Sequence, residues 1–327
     1  TDRTRSTSES DSFFSKKLMK FSAKESEVPF SSHSTMISST RRWWSKETVA
    51  IVTGANKGIG FAFAKRLAKE GLTVILTARD FERGRRAAQE LSAQGLHVHF
   101  LKLDVSDPSS INTFVSLFRM KFGALDILVN NAAVSFNELN ENSVKHAETV
   151  IKTNFYGAKL LTQALLPMFR PSPSPNSNSS RILNISSRLG SLNKLKNPKI
   201  KSILQSENLL EQDIEGVVSS FLEHVKKGTW ESEGWPELWT DYAVSKLALN
   251  AYTRVLAKRL EGSNISVNCF CPGFTQTSMT RGKGTHTAED AANVGARLLL
   301  LPPEELPTGK FFLGGSSSST SVVNSKL

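Results

Sequence analysis

The chain has 327 residues, 39% hydrophobic and 22% charged, the composition of a globular protein rather than a disordered or fibrous one. No apolar run approaches the roughly 18 residues that a membrane span needs, and the stretch Leu298 to Leu301 is stopped by Arg297 and by Pro302-Pro303. The net charge of +11 is accompanied by no zinc spacing, RNA-binding motif or purely basic helix, so it reads as a solvated basic surface that also suits an anionic cofactor, and no nucleic-acid partner is expected.

The first 46 residues hold 13 serines and little apolar periodicity, and the segment 1–46 reads as disordered. Its Ser and basic content raises a transit peptide, against which stand its acidic residues. Met36, just before fold-like sequence begins, is a candidate start. A cytoplasmic protein is the expectation, or a plastid one if the segment is a transit peptide.

From Glu47 strands and helices alternate. Strand patterns at 48–53, 72–78, 97–103 and 126–131 are each followed by a helical pattern: 59–70, 81–94, from about Pro108, and Asn154 to Met168. The run Pro171 to Asn178 is low-complexity loop, and a fifth strand covers Arg181 to Ser186. Residues 191–239 break the alternation as an insertion. Within it Ile214, Val217, Val218, Phe221, Leu222 and Val225 recur at helical spacing. A helix at 241–259, a strand at 265–271, a helix at 287–301 and a short strand at 310–313 follow. Such alternation predicts an α/β fold, a doubly wound parallel sheet of the Rossmann type, as a single domain over 47–313 with a flexible tail at 314–327.

Thr53-Gly54-Ala55-Asn56-Lys57-Gly58-Ile59-Gly60 lies between the first strand and the first helix. There glycines allow a tight turn and close approach to a pyrophosphate, and the free N–H groups of a helix start face the anion. Tyr242 and Lys246 stand four apart on one helical face. A cation beside a phenol lowers its pKa from near 10 and makes it a better proton shuttle. Ser187 follows the fifth strand, at the sheet end where ligands bind in such folds, and Asn154 starts the preceding helix, where it could hold a water beside the lysine. The second strand ends Thr77-Ala78-Arg79-Asp80. Arg79 with Lys57 can clamp a phosphate, which favours NADP(H) over NAD(H), although Asp80 follows directly. Cys269 and Cys271, two apart on a strand, read as core thiols rather than a disulfide, and the scattered histidines give no metal site.

The glycine stretch, Leu103-Asp104-Val105, Asn130-Asn131-Ala132-Ala133, Asn154, Ser187, Tyr242 with Lys246, and Pro272-Gly273 together resemble the short-chain dehydrogenase/reductase family over about Thr48 to Leu313. The resemblance implies a catalytic tetrad of Asn154, Ser187, Tyr242 and Lys246, with Ser187 and Tyr242 on the substrate carbonyl. It implies a cofactor site of Thr53, Gly54, Asn56, Lys57, Gly58, Ile59, Gly60, Arg79, Asp104, Val105, Asn131, Tyr242, Lys246, Pro272, Gly273, Thr275 and Thr277. Ala133 departs from the family's usual glycine. Tyr242 follows Ser187 by 55 positions, with Gly234-Trp235-Pro236 shortly before it. That insertion resembles the carbonyl reductase branch and its plant menthone, neomenthol and salutaridine reductases. In that branch it covers a dimer face, which implies a monomer reducing a small ketone or aldehyde with NADPH. The alternative is a non-catalytic NADP(H)-binding sensor or scaffold.

Overall fold

The computed structural model describes residues 27–29, 42–137, 142–171, 179–314 and 320–323. The proline-serine run at 172–178 and most of both termini lie outside the described residues. Nine strands form one sheet among them, in the order β1-β9-β8-β7-β6-β5-β2-β3-β4. Here β1 is Glu27–Pro29, β2 Val49–Val52, β3 Thr73–Ala78, β4 Val98–Lys102, β5 Ile127–Asn130, β6 Ser180–Ile185, β7 Ile265–Cys271, β8 Phe311–Gly314 and β9 Thr320–Val323. β2 through β8 pair in parallel, as expected for a doubly wound sheet. The antiparallel edge was not expected. β9 pairs with β8, and β1 pairs with β9, so part of the segment 1–46 and part of the tail contribute backbone to the sheet. A three-residue strand carries too short a pattern to be read from sequence.

β2 and β5 are buried at every position because helices cover both faces of the sheet. The covering helices are α1 (Gly58–Lys69), α2 (Phe81–Ser92), α3 (Pro108–Lys121), α4 (Ala147–Ile151), α5 (Ala158–Leu165), α6 (Pro198–Gln205), α7 (Glu211–Lys227), α8 (Thr240–Arg259) and α9 (Ala288–Leu299). α4 and α5 are joined by a π-helical turn, Lys152–Gly157. The helix expected to start at Asn154 therefore starts earlier, at Ala147, and Asn154 lies inside its wound-out turn.

Trp43 and Trp44 lie in the stretch expected to be disordered, yet both are packed. Trp43 Nε1 donates to the Leu300 carbonyl at 3.4 Å and Trp44 Nε1 to the Glu70 carbonyl at 3.2 Å. The Arg181 guanidinium sits 3.8 Å from the centre of the Trp43 ring.

The insertion supplies α6, which has no strong sequence signal, and α7, which was expected. Ile214, Val217, Val218 and Phe221 of α7 are buried with Tyr252 and Leu256 of α8 in one core cluster. Each is worth roughly 1.5–3 kcal/mol when fully buried. Glu211 accepts from Gln163 at 3.0 Å and pairs with Lys159 at 3.1 Å and with Arg259, and Lys159 also meets Glu215 at 2.6 Å. These contacts lay α7 over α5 and the outer face of α8.

Candidate active site

The sheet order reverses between β2 and β5, which opens a crevice at their carboxyl ends. Thr53 follows β2 there, and its hydroxyl accepts from the backbone N–H groups of Asn131 and Ala132, both at 2.9 Å. Asn131 Nδ2 donates back to the Thr53 carbonyl at 2.8 Å. Thr53 and Asn131, expected against the cofactor, thus brace the glycine turn from below.

The turn itself has the shape a diphosphate needs. Gly54 and Gly58 adopt φ of 61° and 58°, the left-handed region that favours glycine. A Cβ on Gly60 would stand 2.4 Å from Asn131 Nδ2 and 2.8 Å from the Gly54 carbonyl oxygen. Gly60 thus makes room for both the Asn131 brace and the close approach of α1 to the end of β2. Ile59 lies in the first turn of α1, whose Lys57 N-cap makes no side-chain capping bond. The Lys57 ammonium reaches across to the Ser278 hydroxyl at 3.0 Å, tying the glycine turn to the loop after β7. Asn56 is half-buried in the turn.

Arg79 is exposed beyond β3. Asp80, which could have opposed a phosphate, caps α2 by accepting from Arg83 N at 2.9 Å. The half-buried Asp104 turns inward to Ser106, accepting from its N–H at 2.9 Å and its hydroxyl at 2.7 Å, and Val105 beside it is buried. These residues fit a nicotinamide dinucleotide: a glycine cradle and two exposed cations, Lys57 and Arg79.

Ser187, Tyr242, Pro272, Gly273, Thr275 and Thr277 line one cavity of about 380 Å³, with Ile59 at its glycine-turn side. Gly190 sets the spacing: a Cβ there would lie 2.4 Å from the Lys246 carbonyl carbon, so only glycine lets the Ser187 turn lie directly on α8. Ser187 Oγ accepts from Leu189 N at 3.1 Å, which aims the hydroxyl at the cavity end of its turn. Gly273 has φ 79° and faces His286, and the Thr275 hydroxyl donates to the Pro272 carbonyl at 3.2 Å, holding the loop closed.

The Lys246 ammonium is buried and donates to the Ile185 carbonyl at 2.8 Å. Burial lowers its pKa to about 8. Tyr242 was expected to have its pKa lowered by that lysine. Burial raises it instead, with Cys271 adding to the rise. Desolvation outweighs a neighbour whose own charge is weakened, and the phenol holds its proton at neutral pH.

Asn154 was expected to hold a water through its side chain. Both its amide hydrogens are taken, by the Val134 carbonyl at 3.0 Å and the Ser245 hydroxyl at 3.0 Å, and its oxygen accepts from Val134 N at 2.8 Å. It joins the loop after β5 to α8. The free thiols Cys269 and Cys271 are buried as expected. Among the cavity residues without a reading in the sequence are Arg188, Lys194, Trp239 and His286. Trp239 could have been found from its place three residues before Tyr242.

Residues 48–198 and 232–288 match the family model described as short chain dehydrogenase. The chain is 39% identical over 289 residues to (+)-neomenthol dehydrogenase of Arabidopsis thaliana, covering 80% of this chain and 95% of that protein. It is 39% identical over 277 residues to carbonyl reductase [NADPH] 1 of Mus musculus, covering 82% and 96%. The structure of salutaridine reductase from Papaver somniferum superposes with a TM-score of 0.72 at 37% identity, covering 81% of this chain and 99% of that one.

Proposed function

The chain belongs to the short-chain dehydrogenase family, and from that premise we propose that it is an NADPH-dependent reductase turning a small ketone or aldehyde into an alcohol. The observation that carries this reading is the single cavity lined by Ser187 and Tyr242 on one side and the Pro272 to Thr277 loop on another.

When bound, the reduced nicotinamide supplies a hydride to the carbonyl carbon. Ser187 Oγ and Tyr242 Oη hold the carbonyl oxygen and stabilise the charge that develops on it. The raised pKa keeps the Tyr242 proton available, and that proton passes to the oxygen to complete the alcohol. Lys246 would hold the ribose hydroxyls, and Asn154 fixes the loop and helix that carry Val134 and Ser245. Arg79 and Lys57 take a 2′-phosphate, since Asp80 is spent on its helix cap. That supports NADP(H) over NAD(H), and the name of the mouse relative is in keeping with it.

The same reading includes a monomer, since α7 already occupies the outer face of α8, and a cytoplasmic site of action. No helix among the described residues is long and apolar enough to cross a membrane. Incubating the purified protein with NADPH and a panel of ketones, quinones and aldehydes tests the proposal through loss of the reduced nicotinamide absorbance. Oxidation that depends on the carbonyl compound supports it. Stoichiometric NADPH binding with no turnover of any compound supports the sensor reading instead.

A further inference from the structure

We propose that Trp239 is a positioning and specificity residue: its ring fixes the Tyr242 phenol and forms a wall of the substrate cavity. The inference rests on the reading of Tyr242 as proton donor.

Trp239 stands at the N-cap of α8 with φ 48° and ψ 53°. Among the described residues only it and Arg281 take a positive φ without being glycine. The left-handed conformation crowds Cβ against the following carbonyl, and a bulky residue there is a true outlier. Tryptophan has no short polar side chain to offset that crowding, so the surroundings must impose it.

They do so through the loop after β5. Asn142 accepts from Thr240 N at 2.8 Å and donates to the Thr240 hydroxyl at 2.8 Å and the Glu237 carbonyl at 3.1 Å. Asn137 donates to the Asp241 carboxylate, which also accepts from Tyr242 N at 2.6 Å. On the helix side, Ala243 N donates to the Trp239 carbonyl at 2.7 Å. Residues on both sides of Trp239 are gripped, and its backbone has no freedom to relax.

The imposed conformation puts the ring to use. It is 7% exposed, and it meets the Tyr242 ring edge-on, with centroids 5.8 Å apart and planes at 89°. It also lines the cavity with Leu189, Leu238, Phe274 and Met279, an apolar set that shares the cavity with Ser187 and Tyr242. A perpendicular ring blocks reorientation of the phenol and offers a rigid flat surface at little entropic cost. The carbonyl compounds that gain from it are those whose carbonyl sits on an apolar ring.

The test compares wild type, Trp239→Gly, Trp239→Phe and Tyr242→Phe at saturating NADPH on an aromatic ortho-quinone and an open-chain aldehyde. In Trp239→Gly the freed phenol should lower kcat about tenfold to a hundredfold on both probes, and KM should rise for the quinone only. NADPH affinity should stay unchanged. The melting temperature should fall, because loss of a buried ring outweighs the relief of φ strain that glycine brings, and Trp239→Phe should recover most of that fall. Trp239→Phe should recover most of the lost kcat. Wild-type kinetics in Trp239→Gly, or equal impairment in Trp239→Phe, would overturn the inference. Normal turnover by Tyr242→Phe would overturn the reading beneath it instead.

If wild type turns over neither probe, the positioning claim is read from ring flipping of 13C-labelled tyrosine, of which the chain has three. The Tyr242 ring should flip faster in Trp239→Gly than in wild type, and equal rates would overturn the claim.

Discussion

The ammonium of Lys246 lies 5.4 Å from the centre of the Tyr242 ring, and burial shifts both groups toward their neutral forms. The phenol stays protonated through the neutral range, while the lysine loses its charge at about 8 instead of at 10.5. Two opposite pH effects follow. Above pH 8 the neutral lysine holds ribose hydroxyls less well, so kcat/KM for NADPH should fall as pH rises through that value. Stability should move the other way. Between about 8 and 10.5 the unfolded chain binds more protons at this position than the folded one, so folding gains as pH rises. Melting temperature against pH for wild type and Lys246→Met checks the sign: wild type should gain on the variant across that window. A parallel pair of curves would contradict the assigned shift.

Arg79→Asp replaces a charge-assisted phosphate contact by a repulsion. Such bonds are worth about 1.5–3 kcal/mol, so the KM for NADPH should rise roughly 10- to 100-fold, with that for NADH changed little. Wild-type protein that uses NADH as efficiently as NADPH would contradict the role given to Arg79 and Lys57.

The parallel sheet was legible because its strands are runs such as Val49-Ala50-Ile51-Val52, whose burial on both faces leaves an unmistakable apolar signature. The glycine turn and the Tyr242-Lys246 pair were legible because backbone geometry and helical periodicity restrict which residues can stand there. What was hidden depends on contacts distant in sequence. The direction of the Tyr242 shift follows from burial, which spacing does not reveal. The duty of Asn154 follows from Val134 and Ser245, brought beside it only by the fold. The docking of Trp43 on Arg181 joins positions 138 apart, and no local pattern foretells it.

That docking gives a stability prediction. Arg181 is 1% exposed and donates to the Leu299 and Leu301 carbonyls, and burial brings its pKa down to about 9 against the opposing pull of Glu304. Trp43→Ala removes the ring face from a desolvated cation, a loss of about 2 kcal/mol. The melting temperature should drop by about 3 °C at this chain length. An unchanged value would show that the Trp43 contact contributes nothing to the fold.

The placement of α7 over α8 gives a prediction about assembly. Sedimentation at micromolar concentration should return a monomer, since the ion pairs of Glu211 and the buried Ile214 and Phe221 already occupy the outer face of α8. A stable dimer or tetramer would contradict the cover role given to the insertion.

In the proposed reaction Tyr242 donates a proton while a hydride reaches the carbonyl carbon. Its most direct test is label transfer from NADPH deuterated at the nicotinamide C4, with wild type and Tyr242→Phe side by side on the carbonyl panel. Wild type should place deuterium on the carbinol carbon of the product. Tyr242→Phe should do so at least about a hundredfold more slowly, the scale of general acid catalysis, while binding NADPH as tightly. Equal transfer by the two proteins, or NADPH binding without deuterium in any product, would contradict the account.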